Sequence, residues 1–370
     1  MSNIRSGDDD FSPLDAGSAE DTLAAGAGNR SLVLLTLARA AGLDADLLLA
    51  RNPGTSQPQI AALDAYTRPV VLFHFDGQDV AVDAETDGLA FGALSPGVAR
   101  SDALLVPLAS EQVNGEQAAE LRRPAIVPVP GSPTPEQSVA KADVRIADNG
   151  DLEANVHIVL GSWRGSQMRT ILSGIEPAGR PAFFQQLASR LFAGVSEASG
   201  EVRFEHQPDR PLEIQMHCRA PQFVKLSASA PSGPMTAELD QLAPTLGLKK
   251  MYGPMGARRF PVFVDTPLVE TATFFVHLPV GVEVLRLAQD TELRSEFGDY
   301  SLTFRRLGAS EVEIRREFRI PVQVVAEDKI DEFRDFAGRI DNAERQRMTI
   351  AAESPALSAA AGGQSSNDPK

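Results

Sequence analysis

Cysteine, tryptophan, histidine and positive charge are all scarce in this chain, and each scarcity removes a class of function. One cysteine among 370 residues, Cys218, cannot close an internal disulfide and excludes every multi-cysteine zinc or iron–sulfur site. One tryptophan, Trp163, with aromatic residues at 6%, argues against a stacking platform for sugars. The five histidines, His74, His157, His206, His217 and His277, stand singly. No two form an i, i+4 pair on a helix, and none falls beside a cysteine or carboxylate at zinc spacing, so neither a metal nor another cofactor is expected. Lys and Arg number 35 against 50 Asp and Glu, a formal net charge of −15. Nucleic acid and anionic lipid should be repelled and are not expected partners. No apolar run approaches the ~18 residues of a membrane span; the best, Leu32–Leu37, has the length of a core helix and contains Thr36. Residues Met1–Ser18 lack the apolar centre of a signal peptide. A cytoplasmic protein is expected for the chain as given, and a periplasmic or envelope protein if a longer precursor carries an export signal.

What is present is an ordinary globular composition, 43% hydrophobic and 23% charged. At roughly 150 residues per domain it should form two or three domains. Residues 1–17, with Asp8, Asp9 and Asp10, read as a solvated arm. Ser18-Ala19-Glu20-Asp21 has the form of a capping box. A helix should run from Arg30 to Ala41, with Leu34, Leu37, Ala38 and Ala41 at helical spacing and Gly42 as its C-cap. Leu43–Leu49 reads as a buried strand, and Asp76-Gly77 as a hairpin turn between Val70–Phe73 and Val80–Asp83. Residues 110–141 read as a connector whose Pro-rich piece from Pro124 is extended, a stalk rather than a ligand for an aromatic groove.

Residues 142–235 should form a β-rich module with one helix. A hairpin joins Val144–Ala147 to Leu152–Leu160 across Asp148–Asp151, a helix from Pro181 to Phe192 presents Phe184, Leu187 and Leu191, and strands follow near Val202–Glu205 and Leu212–Arg219. Residues 236–350 should form a second module, with strands at Thr271–Leu278, Tyr300–Leu307 and Glu311–Ile320. In the last of these Val312, Ile314, Phe318 and Ile320 face inward. A final helix over Glu327–Glu344 carries Ile330, Phe333, Ala337 and Ile340 as its apolar stripe. Residues 351–370 read as a disordered tail. The fold class is therefore α+β.

Candidate chemistry is sparse. Cys218 adjoins His217, but neighbours in a strand point to opposite faces, so the thiol and imidazole cannot meet, and a buried structural cysteine is expected. Gly26-Ala27-Gly28-Asn29-Arg30-Ser31 lacks the Lys-Ser/Thr ending of a phosphate loop and reads as a helix entry. Asp83 ends a return strand, where a carboxylate can orient a catalytic histidine but is more often a turn residue.

The run Leu34-Leu35-Thr36-Leu37-Ala38-Arg39-Ala40-Ala41-Gly42-Leu43, then Thr67-Arg68-Pro69-Val70, Asp76-Gly77, Val82-Asp83-Ala84 and Phe91-Gly92 with Pro96, resembles the second half of bacterial transglutaminase-like domains, a branch of the papain-like cysteine-protease fold. Tyr252-Gly253-Pro254, Arg258-Arg259-Phe260-Pro261, Glu332-Phe333-Arg334-Asp335-Phe336 and Ile340-Asp341 resemble the β-rich modules that follow such domains. The resemblance implies a partial transglutaminase-like domain over 18–109, followed by two β-sandwich-like modules. It also implies that the family's nucleophilic Cys falls at Ala27, or at Arg30 if the glycines are aligned, that its His falls at Arg68, and that its Asp is Asp83. Alanine and arginine supply no nucleophile, and an arginine that stays protonated cannot be a general base.

The reading is a non-catalytic, transglutaminase-like scaffold or protein- or peptide-binding module, with an Arg68–Asp83 ion pair in place of the His–Asp hydrogen bond. The alternative is a hydrolase or acyltransferase that uses Ser31, with His74 reaching in. Relatives carry upstream segments that complete the domain, and this chain starts almost at the nucleophile helix. Either Met1 is an internal start, or the apolar face of the Leu34 helix lacks part of its packing and a partner chain covers it.

Overall fold

The computed structural model describes residues 5–6, 18–51, 65–99, 101–106, 124–131, 137–224, 227–228, 235–239, 247–252, 261–264 and 267–352. Mixed helices and sheets make the fold α+β. The N-terminal unit runs β1 (Arg5–Ser6), α1 (Ala19–Ala25), β2 (Ala27–Gly28), α2 (Arg30–Ala40), β3 (Ala45–Ala50), β4 (Arg68–Phe75), β5 (Gln78–Val82), β6 (Asp102–Val106) and β7 (Ala125–Pro128). Strands β3 to β7 form an antiparallel sheet in the order β5-β4-β3-β6-β7.

Local chemistry explains the entry to this unit. The Ser18 hydroxyl accepts from the Asp21 amide at 3.0 Å while the Asp21 carboxylate accepts from the Ser18 amide, the expected capping box. Between β4 and β5, Asp76 and Gly77 both adopt positive φ (41° and 84°), the geometry a two-residue hairpin loop requires.

Helix α2 and its neighbours cover one face of the sheet, burying Leu35 and Ala38 against Leu47, Leu49, Val71 and Phe73. Leu94 and Val98 cover the other against Leu48, Val70 and Leu72. Every residue of β3 is buried for this reason. The buried face of α2 differs from the expected one. It carries Arg30, Ser31, Val33, Leu35 and Ala38, while Leu37 is 53% exposed and Ala41 lies at the surface. The helix is apolar almost all round, so spacing offers little contrast. Polar bonds at its N-terminus select the face instead.

Much of the expected 110–141 connector lies outside the described residues. Ala125–Pro128, within it, is the outer strand of the sheet, paired with β6. That placement suits Pro128, because an edge strand can forgo ladder donors.

The rest of the chain runs β8 (Ser138–Ile146), β9 (Leu152–Leu160), α3 (Ser162–Ser173), α4 (Arg180–Leu191), β10 (Glu197–Arg203), β11 (Leu212–Ala220), β12 (Ser227–Ala228), β13 (Met235–Leu239), α5 (Leu248–Met251) and β14 (Val262–Val264). It continues with β15 (Leu268–His277), β16 (Val282–Arg286), β17 (Thr291–Ser295), β18 (Gly298–Arg306), β19 (Glu311–Ile320), β20 (Gln323–Val325), α6 (Ile330–Ala343) and β21 (Met348–Ala352).

Eight strands form one sheet in the order β10-β11-β9-β8-β15-β19-β18-β17. Residue ranges 142–235 and 236–350, expected as separate modules, join in this sheet through a parallel β8–β15 pair in which Ala140 faces Ala272. The partners are more than a hundred residues apart, and no local pattern announces such a pairing. Strands β12, β13, β21 and β16 make a second, four-stranded sheet, and β14 pairs with β20. Of the expected tail, residues 351–352 belong to β21 and the remainder lies outside the described residues.

Helix α6 buries Ile330, Phe333, Ala337 and Ile340 as expected, together with Phe336 and Asp341. The Asp341 carboxylate accepts from the amides of Leu248 and Lys249 at 2.9 and 3.0 Å, capping α5. Helix α3 is an addition to the expected single helix of this region. It buries Gly165, Ser166, Arg169 and Leu172, a face with no apolar period. The Arg169 guanidinium replaces apolar contact by donating to the carbonyls of Phe204, Gln207 and Arg210 at 3.3, 3.1 and 2.6 Å.

Candidate functional site

Of the residues that the resemblance singles out, Arg30 opens α2, Arg68 opens β4 and Asp83 lies just beyond β5. Asn29 is the N-cap of α2, its side chain accepting from the Leu32 amide at 3.0 Å. The Ser31 hydroxyl donates to the Pro69 carbonyl at 3.2 Å, which fixes the helix start over β4. Glu85, from the loop after β5, accepts from the Ser31 amide at 2.9 Å and, at 3.0 Å from the Ser31 hydroxyl, shares its single proton with the Pro69 carbonyl. Arg30 is buried and donates to Asp87 of the same loop at 2.6 Å. Two carboxylates thus crowd the first turn of α2, where the helix dipole favours negative charge.

Each expected site residue has a definite place. Ala27 is exposed in β2 and carries no reactive group. Arg30 is tied to Asp87. Arg68 is exposed at the first position of β4, opposite Ala50. Asp83 is buried just beyond β5 and accepts from the Thr86 amide and hydroxyl at 3.2 and 3.0 Å and from the Ser95 amide and hydroxyl at 3.3 and 2.6 Å. The expected Arg68–Asp83 ion pair does not form. The Ser95 and Thr86 donors already satisfy the Asp83 carboxylate, and Arg68 points to solvent.

Ser31 is fully buried, and no imidazole adjoins it. His74 lies five residues along β4 from Pro69, about 16 Å at the rise of a strand. Its ring bonds to Asp79 at 2.7 Å and to Asp46 at 3.3 Å. Glu85, Asp87, Thr86 and Ser95 were not among the residues expected here. They sit in an irregular loop, and the only sequence signal was their closeness to Asp83.

The remaining candidates lie elsewhere. Cys218 is fully buried on β11, and burial pushes its thiol up to about 11. His217 points to the other face, its ring 3.1 Å from the Asn155 side chain. His157 approaches Glu213, His277 lies between Asp143 and Glu311, and His206 is exposed. No group of three metal-ligating side chains occurs among the described residues. No helix among them is long and apolar enough to cross a membrane.

A family model described as a domain of unknown function with solved structure (DUF3858) matches residues 242–350. Over 95% of its length the chain is similar in structure to a crystal structure described as "a putative protease" from Parabacteroides distasonis, with 13% identity and a TM-score of 0.48. It spans 49% of that protein, about half its length. No curated protein sequence matches the chain.

Proposed function

We propose that this chain is a non-catalytic, transglutaminase-like protein whose N-terminal unit serves as a protein-binding scaffold. One observation carries the reading. At the positions where such a domain would hold its nucleophile and acid, Ala27 carries no reactive group, and Arg30 and Asp83 are engaged in structural bonds to Asp87, Thr86 and Ser95. Acyl transfer needs an activated nucleophile and a base within hydrogen-bond reach. Here the helix start offers an arginine and a sealed serine, and the start of β4 offers Arg68.

A binding role has its own support at the surface. Leu37 and Leu43 are exposed near one end of α2, and Phe75 and Phe91 are exposed beside β4. Phe73 and Phe75 stack at 5.5 Å, and Phe91 closes on Phe73 at 5.6 Å. The Asp44 carbonyl accepts from the His74 amide at 3.0 Å, which brings the Leu43 and Phe75 ends of this surface together. Apolar groups gathered in this way mark interaction surfaces.

The test is reactivity of the purified chain toward a fluorophosphonate probe, an iodoacetamide probe and a fluorescent amine offered with glutamine peptides. No labelling and no amine incorporation are expected. Fluorophosphonate labelling that disappears in Ser31→Ala would establish the hydrolase alternative and end the scaffold reading.

A further inference from the structure

A groove of about 800 Å³ lies along the middle of the eight-stranded sheet. Its origin is in the topology. Helix α3 packs on β9 and α4 on β10 and β11, whereas α6 packs on β17 at the opposite end. Among the described residues, no long helix lies over the parallel β8–β15 seam. The side chains that face each other across that seam, Ala140 and Ala272, are small. Next to them stand Ile158 on β9 and Arg316 on β19, in register on the same face. Ile158, Leu160 and Ala140 therefore stay only partly buried although they point to the core side. Ile171 of α3 and Met251 of α5, at the rim, are 54% and 59% exposed.

The groove is apolar with a cationic border, in a chain of net charge −15. Three arginines and one glutamate line it: Arg164, Arg190, Arg316 and Glu270. Glu270 is shared, accepting from Arg164 at 3.0 Å and from Arg316, and Glu344 beneath also accepts from Arg316, at 3.2 Å. Burial works against the charge on Arg316, but Glu270 and then Glu344 outweigh it and keep it protonated. Arg190 is exposed on α4 and makes no ion pair among the described residues. The border thus has positive charge in excess, at Arg190 and on the outer edge of Arg164.

We propose that this groove binds an acyl chain with a carboxylate head group. The chain lies along Ala140, Ile158 and Leu160, which keep open surface, and the head group pairs with Arg190. The volume falls within the roughly 300–1,000 Å³ of small-molecule sites. An acyl chain suits the floor better than a peptide does. Strands β8 and β15 have neighbours on both sides, so their backbone groups are already paired. A peptide laid on them would bury its own amides and carbonyls without partners, and an acyl chain has none to bury. The groove is on the eight-stranded sheet, so this proposal and the reading of the α2–β4–β5 site stand or fall separately.

The experiment is calorimetric titration of the full chain, stripped of lipid, with dodecanoate below its micelle concentration. Dodecyltrimethylammonium and an apolar acetylated tetrapeptide with a free carboxylate are titrated in parallel. Saturable one-to-one binding of dodecanoate is expected, with the cationic analogue weaker and the peptide weaker still. Arg190→Gln, on the exposed face of α4, should weaken dodecanoate about fivefold, as the loss of one partly exposed ion pair does. Ile171→Glu at the rim should weaken it further without changing the thermal melt. The proposal is overturned if dodecanoate gives no saturable signal, if the two surfactants bind equally, if Arg190→Gln and Ile171→Glu both bind as the parent does, or if the peptide binds more tightly than dodecanoate.

Discussion

Asp83 separates a catalytic remnant from a structural device, because the two predict different losses when it is replaced. Its carboxylate accepts four hydrogen bonds, two from Ser95 and two from Thr86. Ser95 is 3% exposed and Thr86 lies nearer the surface. In Asp83→Ala water can satisfy Thr86, but the Ser95 amide and hydroxyl are left buried. An orphaned buried donor costs about 1–3 kcal/mol. With the hydroxyl free to rotate toward a carbonyl, the net loss should be about 3 kcal/mol. Asp83→Asn keeps one acceptor oxygen and should lose roughly half as much. Arg68→Ala removes an exposed side chain and should stay within about 0.5 kcal/mol. The double variant should equal the two single losses to within about 0.5 kcal/mol. Guanidinium denaturation followed by far-UV circular dichroism measures these values, and hydrogen exchange of the β4 and β5 amides assigns the loss to this unit. A loss below about 1 kcal/mol for Asp83→Ala, or coupling to Arg68 above about 0.5 kcal/mol, would refute the account.

Three further predictions concern the larger sheet. Arg316→Met leaves Glu344 buried without its cation and should cost about 3–5 kcal/mol, whereas adding Glu344→Gln to it should recover part of that loss in the same denaturation experiment. Cys218 should resist Ellman's reagent at pH 8 in the folded chain and react at once in guanidinium. Its folded thiol, near 11, lies above its ordinary value of 9.0, so above pH 9 the unfolded chain gives up the proton first. That group's contribution to stability should then fall from pH 9 toward 11, and should not fall in Cys218→Ala. Gly150 has a φ of +83°, and a Cβ built there would lie 2.1 Å from the Val224 carbonyl oxygen. Gly150→Ala should lower the melting temperature by several degrees, since the strain alone is of order 1–3 kcal/mol.

The parts that could be read in advance were those where one physical rule acts alone. Helix α6 has polar residues on one side and Ile330, Phe333 and Ile340 on the other, so burial and spacing agree. Strand β19 alternates, and Val312, Ile314, Phe318 and Ile320 are indeed buried. The same alternation puts Arg316 on the inner face, where apolar pattern alone gives no place to a charge. It is among the most buried charges described and joins Glu270 to Glu344. Helix α3 was hidden because its inner face is held by the polar bonds of Arg169 rather than by apolar contact. The buried side of α2 was hidden because nearly every side is apolar. At the candidate site, Asp83 is marked by the resemblance and not by the pattern of its own strand. Its partners Ser95 and Thr86, and the carboxylates of Glu85 and Asp87, come from a loop whose shape exists only once β4 and β5 have paired.

Under the proposed reading, that loop accounts for a helix start that holds its place without a nucleophile. The first turn of α2 has amides that attract an anion, and in a thiol enzyme the same field would favour a thiolate at a helix start. Here the field is answered from within the chain, because Glu85 takes the Ser31 amide and hydroxyl directly. Arg30 adds a buried positive charge to this end of the helix, and Asp87 neutralises it. A carboxylate supplied by the following loop therefore meets the electrostatic demand of the helix start. Under the proposed reading the packing of α2 on the sheet needs some anion at this place and is indifferent to its reactivity. A nucleophile could then be lost from the helix start without loss of the fold, leaving the exposed leucines and phenylalanines of this unit open to a binding role.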